Sequence, residues 1–110
     1  MAYNLKLAER IRAQLSGMSF VERKMFGGVG FLLNGNMTCG VHKQNMIVRV
    51  DPEKYATILK KLHAKPFDIT GRPMKGWLIV EAEGCKTAKQ LNLWVKEGVE
   101  FALTLPPKQE

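Results

Sequence analysis

The sequence predicts an α+β fold, in which one antiparallel sheet of about four to five strands carries three helices packed mainly on one face, as a two-layer sandwich. Three observations point there. Apolar residues recur at helical spacing near both ends of the chain, they alternate with period two between Glu22 and Val50, and turn residues punctuate that alternation at Asn34-Gly35-Asn36 and Lys43-Gln44-Asn45.

The first helix is capped by Asn4, carries Leu7, Ala8, Ile11 and Leu15 on one stripe, and ends at Ser16 and Gly17. The period-two stretch follows as an antiparallel meander. Asp51-Pro52 reads as a cap followed by proline at the first helical position, and Tyr55, Ile58, Leu59 and Leu62 make the stripe of a second helix ending near His63. A strand is expected at Lys75 to Glu81. Thr87-Ala88-Lys89-Gln90 has capping-box form ahead of a last helix bearing Leu91, Trp94, Val95 and Ala102, which Pro106 and Pro107 stop. No repeat or linker divides the 110 residues, so a single domain over residues 1–107 with a frayed tail at 108–110 is expected.

Seventeen Lys and Arg against ten Asp and Glu give a net charge of +7. Residues 1–75 hold thirteen basic and five acidic side chains, so an anion-seeking surface is expected in the first two thirds of the chain. Charges break every apolar run in MAYNLKLAERIRAQL, which reads as neither a secretory signal nor a membrane span. Cys39 and Cys85 are too few for a disulfide framework and lack redox spacing, so reduced thiols and a cytoplasmic location are expected.

KMFGGVGFLLNG raises a phosphate-binding question. A dinucleotide fingerprint needs a third glycine where Leu33 stands, and a P-loop needs Gly-Lys-Ser/Thr, which is missing. Val29 to Leu33 reads as strand, so no helix start follows to attract a phosphate. Register offers another role. A three-residue loop at Asn34 to Asn36 sets Leu33 opposite Met37, Phe31 opposite Cys39 and Val29 opposite Val41, an all-apolar core face. A two-residue loop would scramble that segregation. The other face then carries Gly28, Gly30, Leu32, Gly40, Ile47, Trp77 and Ile79, with Thr38, His42 and Arg49, and reads either as an outward protein-contact face or as an ordinary face with scattered apolar residues or one helix over it. A second copy of the chain would be the partner of such a contact face.

A set of anion contacts can be named beside it. Lys65, Arg72 and Lys75, interleaved with Phe67 and Trp77, and Arg23 with Lys24 before the glycines, have the composition for phosphate contact and stacking on nucleic acid. The plainer reading has Phe67 anchoring the loop and the lysines solvated.

Catalytic and metal-binding readings lack support in the residues. Cys39 and His42, three apart on a strand, point to opposite faces and form no thiolate pair. Their gaps to His63 and Cys85 match no common zinc spacing, and Glu81 and Glu83 have no acid-base partner. No catalytic residue, metal site or cofactor is expected.

Four segments, ERKMFGGVGFLLNG, MIVRVDPEKY, GRPMKGW and LNLWVKEGVEFALTLPP, together resemble the N-terminal domain of the TfoX/Sxy family over essentially the whole chain. The resemblance implies an α+β sandwich, no enzymatic activity, and a part in regulating natural competence alongside the cyclic-AMP receptor protein. The full-length regulators continue into a C-terminal helical domain, whereas this sequence stops at Glu110. The resemblance thus implies a non-enzymatic regulatory module working through protein contacts, with a component of the transcription machinery as partner, and this is the leading expectation. Direct nucleic-acid binding through residues 65–75 is the alternative. A ligand-responsive domain or enzyme with a pocket near Trp77 is a third, without a motif to support it.

Overall fold

In the computed structural model, which describes residues 3–25, 27–68, 71 and 74–108 and only the backbone of Met25, the Asn4 side chain accepts the Leu7 N–H at 3.0 Å. That bond satisfies one of the donors left open at a helix start and opens α1 (Leu5–Gln14). Among the described residues, six strands form one antiparallel sheet: β1 (Phe20–Met25), β2 (Gly28–Leu33), β3 (Asn36–His42), β4 (Asn45–Arg49), β5 (Ala64–Pro66) and β6 (Trp77–Val80), in the order β1-β2-β3-β4-β6-β5. The short α2 (Tyr55–Leu59) lies between β4 and β5, and a 3₁₀ turn (Ala82–Cys85) leads into α3 (Ala88–Ala102). The Thr87–Gln90 capping box that starts α3 is fully formed, with reciprocal bonds of 3.1 and 3.0 Å.

One face of the sheet is the main core. Leu7, Ala8, Ile11 and Leu15 of the α1 segment and Leu91, Trp94, Val95 and Val99 of α3 pack on Val29, Phe31, Cys39, Val41, Met46, Val48, Leu78 and Val80. The alternation places these strand residues as expected, because successive side chains point to opposite faces.

The β2–β3 turn departs from the expected three-residue loop. Asn34 and Gly35 form a two-residue turn with φ of 53° and 80°, the left-handed pair that a type I′ hairpin requires and that Asn-Gly favours. Leu33 then pairs with Asn36 and Leu32 with Met37, while Phe31 still pairs with Cys39. Thr38 is the extra residue, a bulge that absorbs the shift. The turn and the bulge together preserve the inward register from Cys39 onward, and Met37 changes sides, joining Leu32. Alternation alone places Thr38 on the outward face. It is fully buried, its Oγ1–H donating to the Phe31 carbonyl at 2.9 Å. Gly98 of α3 rests on this bulge, where a Cβ would overlap the Thr38 carbonyl oxygen.

Two further expectations change. The second helix spans five residues rather than about eleven, since residues 52–54 form a turn and the chain reverses at His63, whose φ is 71°. Leu62 is thereby removed from the helical stripe and stands 81% exposed. Ala64–Pro66 then adds an edge strand to β6 that the sequence does not announce, being three residues long and ending in proline.

Candidate interaction surface

The second face of the sheet gathers Leu32, Ile47, Trp77 and Ile79 as expected, but it is not open. Phe67 lies over it at 2% exposure, and with Leu32, Met37 and Ile47 it makes a small second core against which Trp77 and Ile79 are half-buried. The Phe67 and Trp77 rings are 6.0 Å apart. The chain beyond Phe67 folds back through the Met74 N–H to the Phe67 carbonyl and the Trp77 N–H to the Met74 carbonyl, at 3.1 and 3.0 Å. Arg49, outward as expected, places its guanidinium 5.2 Å from the Trp77 ring centre and 5.4 Å from that of Phe101. Burial lowers its pKa.

The glycines do not line a smooth outward strip. Gly28, Gly30 and Gly40 are buried. A Cβ on Gly28 would overlap the Val41 carbonyl oxygen, and one on Gly40 would overlap that of Val29 and stand 3.1 Å from the Gly30 α-carbon. What comes close to these residues is the neighbouring strand. Side chains here would force β2 and β3 apart, so the glycines serve the sheet's own packing.

The expected anion contacts lie on separate elements, Arg23 and Lys24 on β1, Lys65 on β5 and Lys75 before β6. Arg72 lies outside the described residues. Lys65 pairs with Glu81 at 2.9 Å, which holds that carboxyl below its usual range, His63 adding a weaker contact at 3.6 Å. Phe67 is buried under the sheet and cannot stack on a base. Arg23 and Lys24 are exposed on β1, and Lys75 is exposed before β6. The aromatic residues and the cations thus separate, the former inward and the latter outward.

Cys39 is fully buried, and burial pushes its thiol up to about 12. Cys85 is also raised by burial, with Arg10 nearby opposing the shift. His42 is pushed down by desolvation and by Lys43. Neither thiol is poised as a thiolate nucleophile.

The model of the TfoX N-terminal domain matches residues 13–102, most of the chain. The chain belongs to the TfoX N-terminal domain family. Comparison with curated proteins and with solved structures returned no match. Within this TfoX N-terminal domain, several of the residues that carry the resemblance are structural. Gly28 permits the β2–β3 approach, and Gly76, at φ 93°, accepts the Val50 N–H at 2.8 Å where β6 begins beside β4.

An accessible apolar surface lies elsewhere, between the α2–β5 corner and α3. Leu62, at 81% exposure, and Leu93, at 58%, flank a groove of about 430 Å³ floored by Trp94 and Gly84. Lys61, Lys96, Glu97 and Glu100 line it as well. Exposed leucines beside charged side chains of both signs have the composition of a protein interface, an apolar centre within a polar rim. By spacing alone Leu62 falls on a helical stripe, which hides its part in this groove. Leu93 did leave a signal, since it falls off the Leu91, Trp94, Val95 stripe. Among the described residues no helix is long and apolar enough to cross a membrane.

Proposed function

We propose that this TfoX N-terminal domain is a non-enzymatic regulatory module of the competence-regulator type, acting through contact with a protein partner at the Leu62–Leu93 groove. The observation that carries the reading is the pair of exposed leucines flanking a groove beside Trp94, whereas the apolar clusters on the two sheet faces are closed over. Desolvating two leucines and the edge of a tryptophan supplies the apolar centre that an interface needs, and Lys61, Lys96, Glu97 and Glu100 supply a rim that sets orientation. The groove suits a partner segment with its own apolar side chains, such as one face of an amphipathic helix. The half-buried Trp77 and Ile79, held by Phe67 and Arg49, are left a lesser part than the sequence assigns them.

The experiment is photocross-linking in cells that express the protein, with a photoreactive residue at position 62, position 93 or position 21 of β1. The reading expects one discrete adduct from 62 and 93 and not from 21. Equal labelling from all three, or from none, contradicts it.

A further inference from the structure

Arg10 of α1 donates from its guanidinium to the Lys86 carbonyl at 2.9 Å, and one helical turn later Asn92 of α3 donates to the Gln14 side chain at 2.8 Å. The two contacts set α1 and α3 side by side, running in the same direction. At their common starting end is a cleft of about 300 Å³ lined, among the described residues, by Asn4, Lys6, Leu7, Arg10, Ala82, Cys85 and Lys86. Three of these side chains are cations and none is a carboxylate. Glu9 and Glu83 lie on the same elements, and neither lines the cleft. Lys89, exposed in the first turn of α3, extends the positive surface beyond the cleft, as Lys6 begins it in the first turn of α1.

Two of these charges, Lys6 and Lys89, sit where folding alone does not favour them. The first turn of a helix stabilises acids and disfavours cations, yet neither α1 nor α3 has an acidic residue there and each has a lysine. Positions that oppose a local rule without structural gain are where function is expected. The fold also draws Lys86 and Lys89, from the part of the sequence with no net positive charge, up to Lys6 and Arg10.

We propose that this cleft binds the phosphodiester backbone of double-stranded nucleic acid without regard to base sequence. The charge arrangement favours a polyanion over a single phosphate, because the cations extend along two helices. Arg10 is oriented by its bond to the Lys86 carbonyl, which leaves its remaining N–H donors for phosphate oxygens. The site is on a different surface from the Leu62–Leu93 groove and stands independently of it.

The test is fluorescence anisotropy of a labelled 20-base-pair duplex of arbitrary sequence in a KCl series. Three or four phosphate contacts predict a log–log salt slope of about −3, so affinity falls roughly sixty-fold from 50 to 200 mM. The variant Lys6→Gln/Arg10→Gln/Lys86→Gln should lose at least about tenfold in affinity at 50 mM and most of that slope. The charge-matched variant Lys24→Gln/Lys60→Gln/Lys75→Gln should stay within about threefold of wild type. Amide and Arg10 Nε NMR shifts on adding duplex to the wild-type protein should centre on residues 6, 10, 86 and 89, a readout independent of whether the triple variant folds. No binding at 50 mM KCl, equal loss in the two triple variants, shifts centred elsewhere, or tighter binding to phosphatidylglycerol vesicles than to duplex would overturn the proposal. Leu62→Asp/Leu93→Asp should leave duplex binding intact, which separates failure of the cleft from failure of the groove.

Discussion

Gly40 faces Gly30 across β2 and β3 so closely that a methyl group on the first would lie 3.1 Å from the α-carbon of the second and overlap the Val29 carbonyl. The obstacle is backbone in the middle of a sheet, which cannot rotate aside as a side-chain end can. Gly40→Ala should therefore destabilise the fold by about 3 kcal/mol, the upper part of the range for overpacking. Urea denaturation measures it. If these glycines served an outside partner instead, the alanine variant would unfold at the wild-type midpoint.

Thr38 is the residue by which the hairpin reconciles a two-residue turn with an inward-facing Cys39. Its hydroxyl gives the Phe31 carbonyl a partner within the core. Replacement by valine keeps the shape, removes the donor, and should cost about 1–2 kcal/mol. Replacement by serine keeps the donor and should recover most of the hydrogen-bond contribution. A serine variant no more stable than the valine variant in the same denaturation assay would show that the hydroxyl contributes nothing to the bulge.

Phe67 closes the second face over Leu32, Met37 and Ile47. Phe67→Ala should destabilise by about 3 kcal/mol through lost burial and the cavity left behind. It should also shift Trp77 emission to the red, because the ring 6.0 Å away is removed. Emission unchanged in a folded Phe67→Ala variant would mean that Phe67 does not shield the indole.

Both cysteines are buried and have raised thiol pKa values, Cys39 to about 12. A raised thiol pKa leaves the unreactive protonated form dominant at neutral pH. In native protein at pH 8, a disulfide exchange reagent should therefore titrate close to no thiol within minutes, and two after denaturation. Rapid native reaction at Cys85 would reveal access through the basic cleft.

Glu22 accepts two hydrogen bonds from Arg12, at 2.5 and 2.9 Å, which lower its carboxyl pKa. A carboxyl held lower in the folded than in the unfolded chain adds stability above its unfolded value and loses it as pH falls through the folded one. The stability gap between wild type and Glu22→Gln should hold at neutral pH and close in the acid range. The pair is well exposed, so the gap should be small and should shrink further with salt. A gap unchanged between pH 7 and pH 3 would contradict this linkage.

Features set by local chemistry were legible in the sequence. The Asn4 cap, the Thr87–Gln90 capping box, the α1 and α3 stripes and the inward set of Phe31, Cys39, Val41 and Val48 each follow from a few neighbouring residues. The losses came where a local signal was correct but its consequence was not local. Asn34-Gly35 is a strong two-residue turn signal, and the register it implies is restored only by a bulge three residues later. The glycine run showed that something approaches closely without showing that the neighbour is β3. Phe67, in a loop, covers a face that alternation alone leaves bare. The basic cleft joins residues 6 and 10 to 86, a pairing that no regional charge count reveals.

Exposed Leu62 and Leu93, rather than the glycine-bearing sheet face, are proposed as the surface that engages a protein partner. The most direct measurement is titration calorimetry of the partner identified by cross-linking against wild type, Leu62→Asp/Leu93→Asp and Ile79→Ala. The double variant, with unchanged circular dichroism and thermal midpoint, should bind at least about a hundredfold more weakly, a loss of roughly 2.8 kcal/mol, while Ile79→Ala should bind as wild type. Wild-type affinity in the double variant, or a comparable loss in Ile79→Ala, would contradict the proposal.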